Sequence, residues 1–187
     1  MSNPEIREVV IIPGGHATPE DNWYLEAEDS LQQQLGRRSI RIAIAEMPSS
    51  YQADAWLSHM QNELKLDEHS IVIGHSSGAV AAMRHAEKFP LGGSVLVAAH
   101  HTHCGHFEEK RSGFFPERDW DWSAIKANNR RPIVQFGSNN DHLIPYKETE
   151  HIRDQLGTDY REIAGRGHYA GFAFPELPAV IKEMSEQ

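Results

Sequence analysis

Short β-branched apolar runs alternate along the chain with longer stretches in which apolar residues recur every three or four positions. Val9 to Ile12 is the first run, a strand closed by Pro13-Gly14-Gly15. After a loop to Asp21, Trp23, Leu25 or Ala27, Leu31 and Leu35 mark one face of a helix that Gly36 stops. Ile40 to Ala45 reads as a second strand, and Tyr51 to Lys65, with Trp56, Leu57, Met60 and Leu64 at helical spacing, as a second helix. Ser70 to Ile73 is the third strand. It leads through Gly74-His75-Ser76-Ser77-Gly78 into a helix of small residues ending near Lys88. Ser94 to Ala99 is the fourth strand, Ile133 to Phe136 the fifth and Tyr160 to Ile163 the sixth. Helices are expected over Trp120 to Asn128, Tyr146 to Leu156 and Pro178 to Met184, whereas the polar stretch from His100 to Asp119 reads as a loop or small cap.

Strand alternating with helix predicts an α/β fold, a parallel sheet covered on both faces. No repeat or linker divides residues 1–187, so one domain is expected. Right-handed crossovers bring the carboxyl ends of such strands to one edge, where ligands bind. Chemistry is therefore sought in the loops that follow strands.

The loop after the third strand fits G-x-S-x-G between a strand and a helix. That turn strains its central residue, here Ser76, and exposes its side chain as a nucleophile. Ser77 is the alternative hydroxyl, but at the first helical turn its backbone N–H is the more useful group. The loop after the fifth strand holds Asp141, and the loop after the sixth ends in His168. Acyl transfer needs a base for the serine proton and a carboxylate to orient that base. The chain order Ser76, Asp141, His168 is the order this fold class uses. Taken singly, Asp141 could be a turn or N-cap residue and His168 a solvated imidazole of a glycine-rich loop. Their joint placement at the ends of three strands favours the catalytic reading.

Composition narrows the classes of function. With 39% apolar and 24% charged residues the chain is globular, and a formal charge of -9 gives no footprint for nucleic acid or an anionic membrane. No apolar run approaches the ~20 residues of a membrane span, and Met1 to Glu8 shows no secretory pattern, so a cytoplasmic location is expected. The single cysteine, Cys104, excludes an intramolecular disulfide. His100, His101, His103, Cys104 and His106 are dense enough to bring zinc to mind. Their spacing is not that of a built site, and neither a metal nor a cofactor is expected. Trp120, Trp122, Phe114 and Phe115 are expected to form an apolar cover beside the site that helps choose the substrate, with core packing as the alternative.

The sequence resembles the α/β-hydrolase superfamily, and within it the small serine hydrolases of the retinoblastoma-binding protein nine and YdeN-like group. The resembling residues are Ile11-Ile12-Pro13-Gly14, Trp23-Tyr24, Ile73 to Ala79, Ala82-Met83-Arg84, Ile125 to Asn128, Gln135 to Ser138, Asp141 and Gly167-His168. The resemblance implies a compact hydrolase with strand order 2-1-3-4-5-6 and with Ser76, Asp141 and His168 at the triad positions. In this fold an oxyanion hole draws one backbone donor from the residue after the nucleophile, here Ser77. The other comes from the loop after the first strand, where Gly15 or His16 is placed to supply it. The mammalian member that gives the group its name carries an L-x-C-x-E segment linked to retinoblastoma-protein binding. Here Leu66 stands at the cysteine position of Leu64-Lys65-Leu66-Asp67-Glu68, which argues against that partner. The expected activity is hydrolysis of a small ester or amide. The alternatives are an acyltransferase or thioesterase with the same triad, or an interaction protein on a hydrolase scaffold.

Overall fold

The computed structural model describes residues 3–36, 39–116 and 119–187. Six strands, β1 (Glu8–Ile12), β2 (Arg41–Ile44), β3 (Ser70–His75), β4 (Gly93–Val97), β5 (Val134–Gly137) and β6 (Asp159–Glu162), form one sheet in the order β2-β1-β3-β4-β5-β6. Every pairing is parallel. The helices are α1 (Tyr24–Leu35), α2 (Ala53–Asn62), α3 (Ser77–Ala86), α4 (Phe107–Arg111), α5 (Trp122–Asn128), α6 (Tyr146–Leu156) and α7 (Leu177–Glu186).

Two apolar layers follow from the two-residue period of the strands. Val9, Ile11, Ile71, Ile73, Val95, Val97 and Phe136 point to one face, where α1 contributes Leu31 and Leu35 and α7 contributes Val180 and Ile181. Val10, Ile12, Val72 and Leu96 point to the other, against Trp56 and Met60 of α2, the alanines of α3, Ile125 of α5 and Ile152 of α6. Because the central strands are covered on both sides, β3 reads as continuous apolar sequence with all six residues buried. Helix α3 is buried along its whole length, which its run of Gly and Ala makes possible: larger side chains would hold it off the sheet.

The departures from the sequence reading have local causes. β3 continues to His75 because it stays paired with β4 as far as Val97. α2 stops at Asn62 rather than Lys65. Lys65 takes a positive φ of 56°, and the turn buries Leu66 at 2% exposure beneath the core. α5 starts at Trp122, since the Asp121 side chain accepts the Ala124 N–H as an N-cap. Within the stretch read as a loop or cap, Phe107–Arg111 forms the short helix α4.

Candidate active site

β3 ends at His75 and α3 begins at Ser77, so Ser76 alone makes the turn, at φ 53° and ψ −121°. A non-glycine residue in that region carries about 1–3 kcal/mol of strain. Packing holds it there. A Cβ on Gly74 would lie 2.5 Å from the Ala79 Cα, and one on Gly78 would run into the Ile12 and Pro13 carbonyls. The Ser76 N–H is anchored to the Val97 carbonyl at 2.8 Å.

Asp141 sits between β5 and α6. Its Oδ1 accepts the Leu143 and Ile144 amides at 2.9 and 3.0 Å, which is the turn role a lone aspartate would have. The same carboxylate also faces His168, in the loop between β6 and α7: Nδ1 lies 2.8 Å from Oδ2 and 3.1 Å from Oδ1. On its other side the imidazole places Nε2 2.9 Å from the Ser76 Oγ. With Nδ1 donating to a carboxylate, Nε2 is left to accept the serine proton. The side chains of His168 and Asp141 are 9% and 6% exposed. Burial alone would push the Asp141 carboxyl up, but hydrogen bonds from His168 and the Ile144 and Leu143 amides outweigh it and hold the group below its usual range. The β5 loop grips the His168 loop through Ser138, Asn139 and Asn140, which accept the amides of Arg166, Gly165 and Gly167.

Behind the site, the His75 Nε2 donates to the His168 carbonyl at 2.9 Å, and Tyr24 bonds the opposite ring nitrogen. Neither residue stands out in the sequence as part of the site, because its contacts come from segments far away in the chain.

Ser76 opens onto a cleft of about 410 Å³ lined in part by Gly15, His16 and Ser77. The Gly14 N–H is taken by the Tyr24 hydroxyl at 3.0 Å, so Gly15 and His16 supply the next amides of that loop at the cleft. His16 adopts φ 52° and packs its ring 4.5 Å from that of Tyr51.

The aromatic cover expected from Trp120, Trp122, Phe114 and Phe115 lies elsewhere. Phe114 is 1% exposed within the core layer under α3, and Trp120, Trp122 and Phe115 pack against the same layer. Trp120 is held by its indole N–H on the His101 carbonyl at 2.8 Å and by the Arg84 guanidinium 3.4 Å over its ring. Trp122 stacks on it at 5.3 Å. The apolar wall of the cleft comes instead from Phe107, Leu143 and Ile144.

The histidines of the stretch after β4 are committed separately. His100 donates from Nδ1 to the Thr102 carbonyl, His103 accepts the Gly105 amide, and His106 meets the Leu143 carbonyl. His101 stacks on His151 with centroids 3.9 Å apart and lies 2.7 Å from Glu148. Burial alone would raise the Glu148 carboxyl, but its bonds to His101 and Thr102 hold it at about 2. Burial pushes the Cys104 thiol up to about 11, away from thiolate chemistry. Among the described residues no group of three or more His, Cys, Asp or Glu side chains is placed to hold a metal ion.

Comparison with known proteins gives a consistent picture. A family model described as serine hydrolase matches residues 9–185. The chain is 37% identical over 186 residues to the serine hydrolase RBBP9 of Rattus norvegicus, covering 98% of this chain and 97% of the rat protein. The ydeN gene product of B. subtilis superposes with a TM-score of 0.82 at 20% identity, covering 97% of this chain and 100% of that one. Est1E from Butyrivibrio proteoclasticus superposes with a TM-score of 0.70 at 15% identity, over 98% of this chain and 88% of that one. At those identities the structural likeness speaks for the fold.

Proposed function

The chain belongs to the serine hydrolase family, and from that premise we propose that it cleaves a small ester or amide through an acyl-enzyme on Ser76. The observation that carries this reading is the unbroken line of hydrogen bonds from Ser76 Oγ through both nitrogens of His168 to Asp141. In the first step Oγ attacks the substrate carbonyl while His168 Nε2 takes its proton. Asp141 keeps the ring in the accepting tautomer and stabilises the imidazolium. His168 then returns the proton to the leaving alcohol or amine. Water, deprotonated by the same nitrogen, releases the acid and restores Ser76. The Ser77 amide, with that of Gly15 or His16, stabilises the oxyanion of each tetrahedral intermediate.

A cleft of about 410 Å³ is of the size that takes a small molecule. Among the described residues no helix is long and apolar enough to cross a membrane. The formal charge of -9 supports a reading without a nucleic-acid partner. Retinoblastoma-protein binding is disfavoured on this reading, because Leu66 stands in place of the motif cysteine and is buried.

A fluorophosphonate probe tests the nucleophile. The native protein should gain one adduct that maps to Ser76, and Ser76→Ala should gain none. An adduct on another hydroxyl that persists in Ser76→Ala overturns the assignment.

A further inference from the structure

The proposed oxyanion donors come from two separate segments, and one buried carboxylate reaches both. Glu109 is the residue of α4 that turns inward: it is 8% exposed, whereas Phe107, Glu108, Lys110 and Arg111 face solvent. The hydroxyls of Ser77 and Tyr51 both donate to its Oε1. Burial and the bond to Glu109 push the Tyr51 phenol well above its usual range, so it keeps the proton it donates. Oε2 is buried with no hydrogen-bond partner among the described residues. One oxygen therefore carries both contacts, and a shift of either hydroxyl disturbs the bond of the other.

Each hydroxyl leads to one of the donor segments. Ser77 carries the first amide itself. Tyr51 lays its ring 4.5 Å from that of His16, whose backbone is held at φ 52°. Gly15 lies between them: a Cβ there would stand 3.1 Å from the Tyr51 Oη and 3.3 Å from the Ser77 Oγ, so the loop backbone rests on the same two oxygens. The base of Glu109 is fixed as well. Its carbonyl accepts the Ser112 hydroxyl at 2.8 Å, and the Ser112 carbonyl accepts the Ala53 amide at the start of α2 at 2.7 Å. A carboxylate has the wrong charge to stabilise an oxyanion itself, and burying it half-paired is costly. What it supplies is position, through two charge-assisted hydrogen bonds of the strong kind.

Resting on the reading of Ser76 as the nucleophile, we propose that Glu109 is a positioning residue for the oxyanion hole. It holds the Ser77 amide through the Ser77 hydroxyl and the Gly15 and His16 amides through Tyr51, so that both segments aim at one oxygen. Its effect then falls on the step in which negative charge develops and leaves ground-state binding unchanged.

Inactivation by an alkyl fluorophosphonate tests this, because the phosphoryl oxygen enters the oxyanion hole as Ser76 displaces fluoride. Glu109→Ala should lower kinact by about ten- to a hundredfold, less than outright loss of a donor costs, with KI within about twofold of wild type. Glu109→Gln keeps an oxygen for both hydroxyls and should recover kinact to within about threefold of wild type. A residue that only fastened α4 would lower the melting temperature and leave the folded protein inactivated at the wild-type rate. Tyr51→Phe combined with Ser77→Ala removes the two hydroxyls and leaves Glu109 in place, which keeps the proposal testable if Glu109→Ala does not fold. That pair should itself lower kinact at least about tenfold, and adding Glu109→Ala to it should cost less than about threefold more. Wild-type kinact in Glu109→Ala or in the hydroxyl pair overturns the proposal. So does a full further loss when all three changes are combined, a loss confined to KI, or Glu109→Gln no faster than Glu109→Ala. Wild type that is labelled at Ser76 at a rate indifferent to Glu109 keeps the nucleophile and loses this role. Wild type that is not labelled at Ser76 loses the nucleophile and this role with it.

Discussion

The Tyr24 hydroxyl lies 2.6 Å from the His75 Nδ1, buried directly behind the proposed nucleophile. That oxygen already accepts from the Gly14 amide and the Asn22 side chain, so its own proton goes to His75. His75 Nε2 then carries the hydrogen it donates to the His168 carbonyl. The loop of the proposed oxyanion amides and the loop of the proposed base are thus tied to one neutral imidazole, which burial holds at a pKa of about 4. Tyr24→Phe should leave both the Gly14 N–H and the His75 Nδ1 unpaired in the interior. A loss of about 1–3 kcal/mol in denaturant unfolding is expected, together with slower fluorophosphonate labelling. Wild-type stability and labelling in Tyr24→Phe would show that the chain of bonds holds nothing.

Buried imidazoles also set the acid limb of stability. His75 and His85 are each pulled down to about 4 by burial, His75 further by the neighbouring His168. Neither ring nitrogen of His85 has a hydrogen-bond partner among the described residues. For a histidine with a depressed folded pKa, the unfolded chain takes up the proton first. Stability is therefore full above about pH 6.5, the unfolded value, and falls as pH drops toward 4. Each group contributes up to about 1.4 kcal/mol per pH unit across that window. His85→Leu should make the decline between pH 6.5 and 4 shallower by one proton without loss of stability at pH 7, since an apolar side chain leaves nothing unpaired. An unchanged slope in pH-resolved unfolding would mean that His85 is charged or solvated in the folded protein.

The elbow places a steric demand on both of its glycines, and Gly78 offers the cleaner test. A Cβ on Gly78 would meet the backbone carbonyls of Ile12 and Pro13, which cannot swing aside as a side chain would, whereas one on Gly171 meets nothing within 4 Å. Gly78→Ala should therefore push α3 away from β1 and cost several kcal/mol, and Gly171→Ala should stay within about 0.5 kcal/mol of wild type. Equal melting temperatures for the two variants would contradict the packing described for the turn.

What the sequence makes legible follows from how local each signal is. The alternation of strands and helices, the turn at Ser76 and the strand-end positions of Asp141 and His168 depend on short-range patterns and chain order, and the three residues lie within hydrogen-bond reach of one another; the order of the strands in the sheet comes from the family resemblance. Even the bounds of Tyr146–Leu156 are readable, since the helix follows a proline and stops at Gly157 in the left-handed region. The walls of the cleft are another matter. Phe114, Phe115, Trp120 and Trp122 form the most conspicuous aromatic cluster in the chain, yet they pack into or against the core layer under α3, where the Arg84 guanidinium lies over Trp120. Glu109 meets Tyr51 across 58 residues, a pairing that no periodicity announces. Asp141 shows why competing readings of one residue need not exclude each other: it caps its own turn with Oδ1 and addresses His168 with Oδ2.

That double role lets one position separate structure from catalysis. In Asp141→Asn the side-chain oxygen can still accept the Leu143 and Ile144 amides, so the turn and the melting temperature should be nearly unchanged. The amide nitrogen cannot accept the His168 Nδ1–H. It can donate instead, which favours the tautomer with its proton on Nε2, where the Ser76 proton should go, and it leaves the imidazolium without a counter-charge. Turnover of any substrate that reports on Ser76 should drop by about three to four powers of ten. Asp141→Ala removes both roles, and should add a stability loss of about 0.5–2 kcal/mol to the same loss of turnover. Because residues that act as a unit lose activity non-additively, His168→Ala combined with Asp141→Asn should be little slower than His168→Ala alone. Melting temperature and kcat measured on the same preparations distinguish the cases. An Asp141→Asn protein that melts like wild type and turns over like wild type would remove Asp141 from the mechanism and leave it as a turn residue beside an unassisted histidine.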